Sequence, residues 1–253
     1  MNNNKLIEFW KELNLASKPY IHPRDTALSI KLCHSFSDLK DYYETRYWND
    51  NGIFHTDLMP IPYIGNIQSA KIFLLTKNPG FSLSDYYSEH SSVAFEAEQK
   101  RNLLQNHSDS EFPFLFLNPN FLWHAGAEYW LNKLKDYIIY VKEQRKVTYL
   151  EATSIVSKNV AVLELVPYHS VNFSQNHLLK KLNSVGQMKS FVNEYVIPKV
   201  YDNKACIVCA RNTKDWDLPF HKNILIYQGG ETRGAHISKN TRAYPLITKF
   251  LCK

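Results

Sequence analysis

Asn78-Pro79-Gly80 follows a short apolar run at residues 72–75, in which hydrophobic residues do not alternate with polar ones. Such a run is typical of a strand that is buried on both faces inside a parallel sheet. Pro79 cannot donate to a sheet ladder and Gly80 tolerates unusual backbone conformations, so the strand is expected to end here. Asn78 is then held at the carboxyl end of a central strand, where open α/β sheets bind ligands. A side-chain amide there can orient a water molecule; the alternative is an ordinary turn, because Asn-Pro-Gly is common turn chemistry.

The segment at residues 70–82 resembles motif 1 of the uracil-DNA glycosylase superfamily, in which a strand ends in an acid or amide, then proline, then a small or aromatic residue. The mismatch-specific and single-strand-selective branches of that superfamily carry Asn-Pro-Gly, as this chain does. The resemblance spans roughly residues 60–250 and is closest in motif 1. It implies a monofunctional DNA glycosylase, which hydrolyses the N-glycosidic bond of a flipped nucleotide without a metal or cofactor and leaves an abasic site.

The resemblance also implies roles for the residues around motif 1. Asn78 is expected to hold the attacking water, and a slow enzyme is expected because an amide is a poor base. Gly80 stands where uracil-restricted branches place a tyrosine that blocks a substituent at position 5 of the pyrimidine, so glycine implies tolerance for a modified base. Phe81 is expected to contact that base. Lys77 and Ser82 are expected to lie near phosphates of the DNA.

The loop at residues 236–242 resembles motif 2 of the superfamily, His-Pro-Ser-Pro-Leu-Ser, in part. His236 is expected to donate a hydrogen bond to the base carbonyl oxygen and to act with Asn78 in catalysis. Both prolines of the motif are replaced, and Asn240 stands where a leucine wedge would enter the base stack, so Ile237 and Arg242 are alternative wedges. The DNA-contacting residues implied for this loop are Ser238, Lys239, Asn240, Thr241 and Arg242.

Three phenylalanines occupy alternate positions in the segment at residues 112–116. In an extended segment their rings would lie on one side. One interpretation is packing in the core. The other is that Phe114 or Phe116 stacks on an extruded base, because the superfamily places an aromatic residue for that purpose after motif 1.

Glu164 lies in a second apolar run, at residues 160–166, three residues before Pro167. The related branch has an asparagine that reads the base at this spacing. An ionised glutamate only accepts hydrogen bonds, so it suits the exocyclic amine of cytosine and repels uracil O4. The sequence therefore predicts a 5-substituted cytosine as the preferred base; the alternative is a buried glutamate paired with Lys or Arg. His169, just beyond, is expected to line the mouth of the pocket.

The elements that position these residues are four apolar runs separated by helical segments. They predict one α/β domain over residues 1–253: a three-layer α/β/α sandwich with a central four-stranded, mostly parallel sheet, as in the uracil-DNA glycosylases. Helices within residues 1–50, at 5–15 and 38–48, are expected to pack onto it. The connection at 211–223 is short for a crossover helix, so a parallel pairing there requires an irregular or partly helical connection. The predicted strands cover residues 72–75, 160–166, 206–210 and 224–227.

Composition narrows the class of protein. The chain of 253 residues is 44% hydrophobic and 14% aromatic and carries a net charge of +6. A basic, aromatic-rich surface suits DNA as the partner, and no obligate protein partner is evident. No apolar run reaches the ~20 residues of a membrane helix, and the first residues lack a signal-peptide core, so a cytoplasmic protein without membrane contact is expected.

Cys206 and Cys209 have the CxxC spacing of many metal sites. They lie in an apolar run that is predicted to be a strand, where positions i and i+3 point to opposite faces. Two such thiolates cannot share one metal ion without a bend, so core cysteines are predicted and no metal site is expected.

Two other classes of function remain open from the sequence. One is a metal-dependent nuclease or hydrolase that would use an acid such as Glu164 and several of the histidines at positions 169, 177, 221 and 236. The other is a nucleic-acid-binding module without catalysis. For a glycosylase, the biological role would be DNA repair or defence against phage with modified DNA.

Overall fold

The structure is a computed structural model, and it describes residues 5–28, 33–34, 53–211 and 213–251. The helix predicted at residues 38–48 lies outside this part of the chain. No helix within the described ranges is long and apolar enough to cross a lipid bilayer.

The described strands form two sheets. The strands are β1 (Cys33–His34), β2 (Phe54–His55), β3 (Tyr63–Ile64), β4 (Ile72–Thr76), β5 (Val160–Glu164), β6 (Cys206–Cys209) and β7 (Ile224–Ile226). β1 and β2 pair in parallel, and the other five strands form one mixed sheet in the order β3-β5-β4-β6-β7. β4 pairs in parallel with β5 and β6, and β6 with β7, whereas β3 runs antiparallel to β5. The mostly parallel α/β sheet is thus confirmed, with β4 at its centre.

The predicted count of four strands was one too low, because β3 adds a fifth strand to the edge of β5. β3 has only two residues and lies between Pro62 and Gly65, so its sequence is typical of a loop. Gly65 leaves the strand with φ of +91°, and a Cβ there would lie 2.6 Å from the carbonyl oxygen of Val160. Glycine therefore permits both the left-handed turn and the close approach to β5.

The parallel pairing of β6 with β7 is confirmed despite the short connection between them. The described residues of this connection form turns and no helix that could cover the sheet. Trp216 anchors the connection: its ring is buried, and its Nε1 donates a hydrogen bond to the carbonyl oxygen of Thr76 at 3.1 Å.

Helices cover both faces of the sheet. The α-helices of the described residues are α1 (Lys5–Lys11), α2 (Leu83–Ser91), α3 (Val93–Leu103), α4 (Ala125–Arg145), α5 (Tyr149–Asn159), α6 (Asn183–Phe191), α7 (Ile197–Tyr201), α8 (Glu231–Gly234) and α9 (Ala243–Leu251). Phe73 and Leu75 of β4 pack into one core with α1, α6 and α7, whereas Ile72 and Leu74 pack into a second core with α4, α5 and α9. This alternation explains why the strand is continuously apolar.

The CxxC cysteines are core residues, as predicted. Cys206 and Cys209 are fully buried in β6, and they belong to the two cores on opposite faces of the sheet. Burial raises the pKa of the Cys209 thiol to about 12, which keeps this group protonated at neutral pH.

Candidate active site

A cavity of about 520 Å³ opens at the carboxyl ends of β4 and β5. The chain passes from β4 to β5 on one side and later returns to β6 on the other, so the cavity lies where the strand order reverses, the usual place for a ligand in such sheets. Its volume is within the ~300–1,000 Å³ of small-molecule sites. Asn78, Gly80, Phe81, Phe116, Glu164 and His169 all line it.

The side chain of Asn78, at the end of β4, is held by hydrogen bonds that its amide nitrogen donates. Nδ2 donates hydrogen bonds to the carbonyl oxygen of Pro79 at 2.8 Å and to Ser170 Oγ at 2.9 Å, with Tyr168 O at 3.4 Å. Among the hydrogen bonds of the described residues, none reaches Asn78 Oδ1. This oxygen is therefore oriented by the three contacts of Nδ2 and is left to accept a hydrogen bond from a water or ligand in the cavity.

Glu164 ends β5 directly beside β4, because its Cα pairs with that of Thr76. Its side chain is 5% exposed, and its Oε2 has no hydrogen-bond partner among the described residues. Burial raises the pKa of this carboxyl to about 7, although the Thr76 hydroxyl and the Arg211 charge pull it down. No ion pair found in the described ranges includes Glu164, so the alternative of a salt-bridged glutamate is not seen there.

His169 holds the loop that follows β4. Its Nδ1 lies 2.8 Å from the carbonyl oxygen of Gly80, and its Nε2 lies 3.2 Å from that of Met59. Burial lowers the pKa of His169, which favours the neutral ring. The contacts show a positioning role for His169 at the wall of the cavity.

Gly80 faces open space, because a Cβ added there would meet no atom within 4 Å. Phe81 is half-buried, and its ring stacks on that of His55 with 3.9 Å between centroids. The wall formed by these two loop residues therefore has room beside Gly80 and an aromatic surface at Phe81.

The phenylalanine segment is not extended throughout, so the condition for three rings on one side is not met, and all three phenylalanines are buried. Leu115–Leu117 form a 3₁₀ turn instead. Phe114 is fully buried against Trp130 in the core and does not line the cavity, whereas Phe116 does. The Phe116 ring packs against Gly126, where a Cβ would lie 2.6 Å from it.

The two DNA-contacting residues predicted beside motif 1 both line the cavity. Lys77 Nζ donates to the carbonyl oxygen of Phe173 at 3.2 Å and lies 4.5 Å from the centre of its ring. Burial lowers the pKa of this ammonium. Ser82 precedes α2, and its N–H donates to Asp85 Oδ2 at 2.6 Å.

His236 is exposed and is not among the residues that line the cavity, so the structure brings Asn78 and Glu164 together without it. The segment just before its loop is tied to α4, a helix that also lines the cavity: Lys133 of α4 donates to the carbonyl oxygens of Gly234 and Ala235 at 2.6 and 2.8 Å.

The remaining residues of this loop lie outside the cavity lining as well. Thr241 Oγ1 donates to Ser238 O at 2.7 Å, and Arg242 forms an ion pair with Glu231 at 2.6 Å. Lys239 and Asn240 are exposed.

An Asp–His pair that the sequence analysis missed also lines the cavity. His124 is 2% exposed, and its Nδ1 accepts a hydrogen bond from the N–H of Gly126 at 2.9 Å, which caps α4. Its Nε2 lies 3.2 Å from Asp85 Oδ1, but in a direction that makes no hydrogen bond. The only features of the sequence that could have indicated this pair are the capping residues at the N-termini of α2 and α4.

No family model, curated protein or solved structure matches the chain. Within the described ranges, no three His, Cys, Asp or Glu side chains are grouped so that they could hold a metal ion. The roles of the site residues therefore depend on the geometry and charge of the cavity.

Two basic residues, Lys77 and Arg211, and two acidic ones, Asp85 and Glu164, line the cavity. Arg211 lines the rim with Lys77, and Lys133 lies just beyond it, with a pKa that burial and Arg211 lower to about 8. Glu164 is the lining acid whose pKa is raised, although the Arg211 charge opposes the shift. Such an arrangement suits a ligand with an anionic group at the mouth and a polar, uncharged group inside.

Proposed function

We propose that this protein is a monofunctional DNA glycosylase that excises a modified pyrimidine, preferentially a 5-substituted cytosine, from a flipped nucleotide. The observation that carries the proposal is that Asn78 and Glu164, whose Oε2 is unpartnered among the described residues, line one cavity of about 520 Å³. The mostly parallel sheet flanked by helices is compatible with a uracil-DNA glycosylase-like three-layer fold, which forms part of the proposal.

Asn78 would position the attacking water. Hydrolysis of an N-glycosidic bond requires a water against the sugar carbon and donors to the departing base. Asn78 Oδ1 accepts a hydrogen bond from that water while Nδ2 stays bound to Pro79 and Ser170. Since an amide does not deprotonate water, the rate depends on how readily the base leaves.

Glu164 and Gly80 would select the base. An ionised Glu164 accepts from the exocyclic amine of cytosine, and the open space at Gly80 accommodates a 5-substituent. Phe81 and Phe116 offer aromatic surfaces on which the base can stack.

DNA would approach the basic rim of the cavity. Lys77 and Arg211 lie at the mouth, and the chain carries a net charge of +6. Residues 238–242 follow Gly234 and Ala235, whose carbonyl oxygens accept hydrogen bonds from Lys133, and would contact phosphates after DNA binds. The protein would act on DNA in the cytoplasm, in repair or in defence against phage with modified bases.

The proposal is tested with oligonucleotides that contain uracil, a thymine mismatch or a 5-substituted cytosine, followed by alkali to cleave at abasic sites. We expect excision in the presence of EDTA and a preference for the modified cytosine. Asn78→Ala should reduce the rate at least about 100-fold with unchanged DNA affinity. The matched control is Asn106→Ala, which changes an exposed asparagine outside the cavity.

Each competing function gives a different result in this assay. Loss of activity with EDTA, and strand cleavage without alkali, would point to a metal-dependent nuclease. DNA binding without abasic sites on any substrate would point to a binding module.

A further inference from the structure

We infer that His124 is the hydrogen-bond donor to the carbonyl oxygen of the departing base. The inference rests on the glycosylase function proposed above and assigns to His124 the role that the sequence predicted for His236.

The hydrogen bonds around His124 fix which ring nitrogen carries the proton. Nδ1 accepts from the N–H of Gly126 at 2.9 Å, so it must present a lone pair. In a neutral imidazole the proton is then on Nε2, which becomes a donor. Nε2 belongs to a residue that lines the cavity.

This donor has no acceptor within the described protein. Asp85 Oδ1 lies 3.2 Å from Nε2, but the angle does not make a hydrogen bond, and Nε2 is buried. A buried N–H without an acceptor is costly, so a ligand oxygen in the cavity would satisfy a group that the fold leaves open.

Both members of the pair are held firmly. Asp85 is anchored through its other oxygen, which accepts from the N–H of Ser82 at 2.6 Å. The His124 ring stacks on Phe95 at 4.7 Å and on Phe116 at 5.2 Å between centroids. A donor with this little freedom is preorganised for charge that develops in the transition state.

The reaction step balances with these groups. The water oxygen held by Asn78 bonds to the sugar carbon, the bond from that carbon to the base nitrogen breaks, and its electron pair moves onto the base. His124 donates a hydrogen bond to the base carbonyl oxygen, which carries part of the negative charge. The base then takes up the proton that the water releases, so His124 keeps its own proton.

The test compares single-turnover excision by wild type, His124→Asn and His236→Ala. Asparagine is a good helix N-cap, so His124→Asn removes the imidazole and retains a cap for α4. We expect His124→Asn to reduce the rate about 100-fold without a change in DNA affinity, and His236→Ala to change it less than about threefold. Far-ultraviolet circular dichroism checks that both variants fold.

Two substrates with different leaving groups distinguish the loss of a hydrogen-bond donor from a structural defect in the variant. The substrates are 5-hydroxymethylcytosine and 5-fluorocytosine, or uracil and 5-fluorouracil if wild type excises uracil. The fluorinated base leaves as a weaker base and needs the donor less, so the loss in His124→Asn should be smaller for it. A misfolded variant would lose both activities equally.

The outcomes separate this inference from the function on which it rests. If wild type is active and His124→Asn is equally active, or loses both substrates equally, the inference is wrong and the proposed function stands. If His236→Ala shows the larger loss, the original assignment to His236 is restored. If wild type excises no base from any DNA, both are wrong.

Discussion

At the scale of single residues, Glu164 would set the choice of base, and its ionisation makes that choice dependent on pH. Burial raises the pKa of its carboxyl to about 7, so the ionised fraction increases roughly tenfold between pH 6 and pH 8. The ionised form accepts from a cytosine amine, whereas the protonated form can also donate to uracil O4. We expect the ratio of excision rates, 5-substituted cytosine over uracil, to rise about 10- to 100-fold over this interval in buffers of constant ionic strength, because the ionised fraction rises about tenfold while the protonated fraction falls about tenfold.

The control for this pH effect is Glu164→Gln. A glutamine does not titrate, so the ratio should become flat with pH and should shift toward uracil, because the amide both donates and accepts. A wild-type ratio that stays constant from pH 6 to pH 8 would exclude Glu164 as the residue that reads the base.

Gly80 supports a second prediction at this scale. A Cβ there meets nothing within 4 Å, so a side chain can start at this position without a clash, and Gly80 lines the cavity that a larger side chain would narrow. Gly80→Tyr should reduce excision of 5-substituted bases at least about tenfold and leave unsubstituted bases less affected. The melting temperature should stay close to that of wild type, since no packed atom is displaced.

Gly80→Ala serves as the matched control for that substitution. It adds only a methyl group and should retain activity on substituted bases. Equal loss on substituted and unsubstituted bases in Gly80→Tyr would show that the loop does not form the wall beside position 5.

At the scale of elements, the sequence predicted those features that local patterns encode. The strands β4, β5 and β6 were predictable because strands buried on both faces are continuous apolar runs, and β7 is also an unbroken apolar run although it is only partly buried. Asn78 and Glu164 could be placed together because the carboxyl ends of neighbouring parallel strands meet at one edge of the sheet. β3 was missed because its two residues, between a proline and a glycine, are too few to show the hydrophobic pattern of a strand.

The Asp–His pair shows what such patterns omit. Asp85 follows the start of α2 and His124 precedes α4, so their proximity arises from how two helix N-termini pack. The contacts that hold the ring, such as Phe95 against His124, are between segments distant in sequence. The 3₁₀ turn that buries Phe114 is likewise set by packing rather than by the alternation of phenylalanines.

The link between α4 and residues 234–235, which precede the loop at residues 236–242, gives a prediction at this scale. Lys133 Nζ donates to the carbonyl oxygens of Gly234 and Ala235, and methionine would keep the apolar stem but lose both hydrogen bonds. Lys133→Met should destabilise the protein by about 1–3 kcal/mol and speed amide hydrogen exchange at residues 234–237.

The matched control on the same helix is Lys135→Met, which changes an exposed lysine with no hydrogen bond among the described contacts. It should leave exchange at residues 234–237 unchanged. Equal exchange in both variants would show that the loop is held by contacts other than Lys133.

At the scale of the whole molecule, the buried acids make the stability of the fold depend on pH. Burial raises the pKa of Glu164 to about 7 and that of Glu89 to about 8. The folded state therefore keeps protons that the unfolded chain releases near pH 4.5. Their contribution to stability is fully present below the unfolded pKa and is lost as pH rises through the folded value. The same buried carboxyl that would read the base thus destabilises the fold at the pH where it is ionised.

This opposition between stability and function can be measured with one substitution. In urea unfolding at pH 5, the free energy of unfolding of Glu164→Gln should equal or fall below that of wild type. By pH 8 the difference between the two proteins should have shifted in favour of the variant. The expected relative gain is up to about 3 kcal/mol, because the pKa moves from 4.5 to about 7. Both proteins contain Glu89, so its titration cancels in the difference between their free energies of unfolding. An unchanged difference between the two proteins at pH 5 and pH 8 would mean that water reaches Glu164 in the folded state, and the pH-dependent choice of base would fail with it.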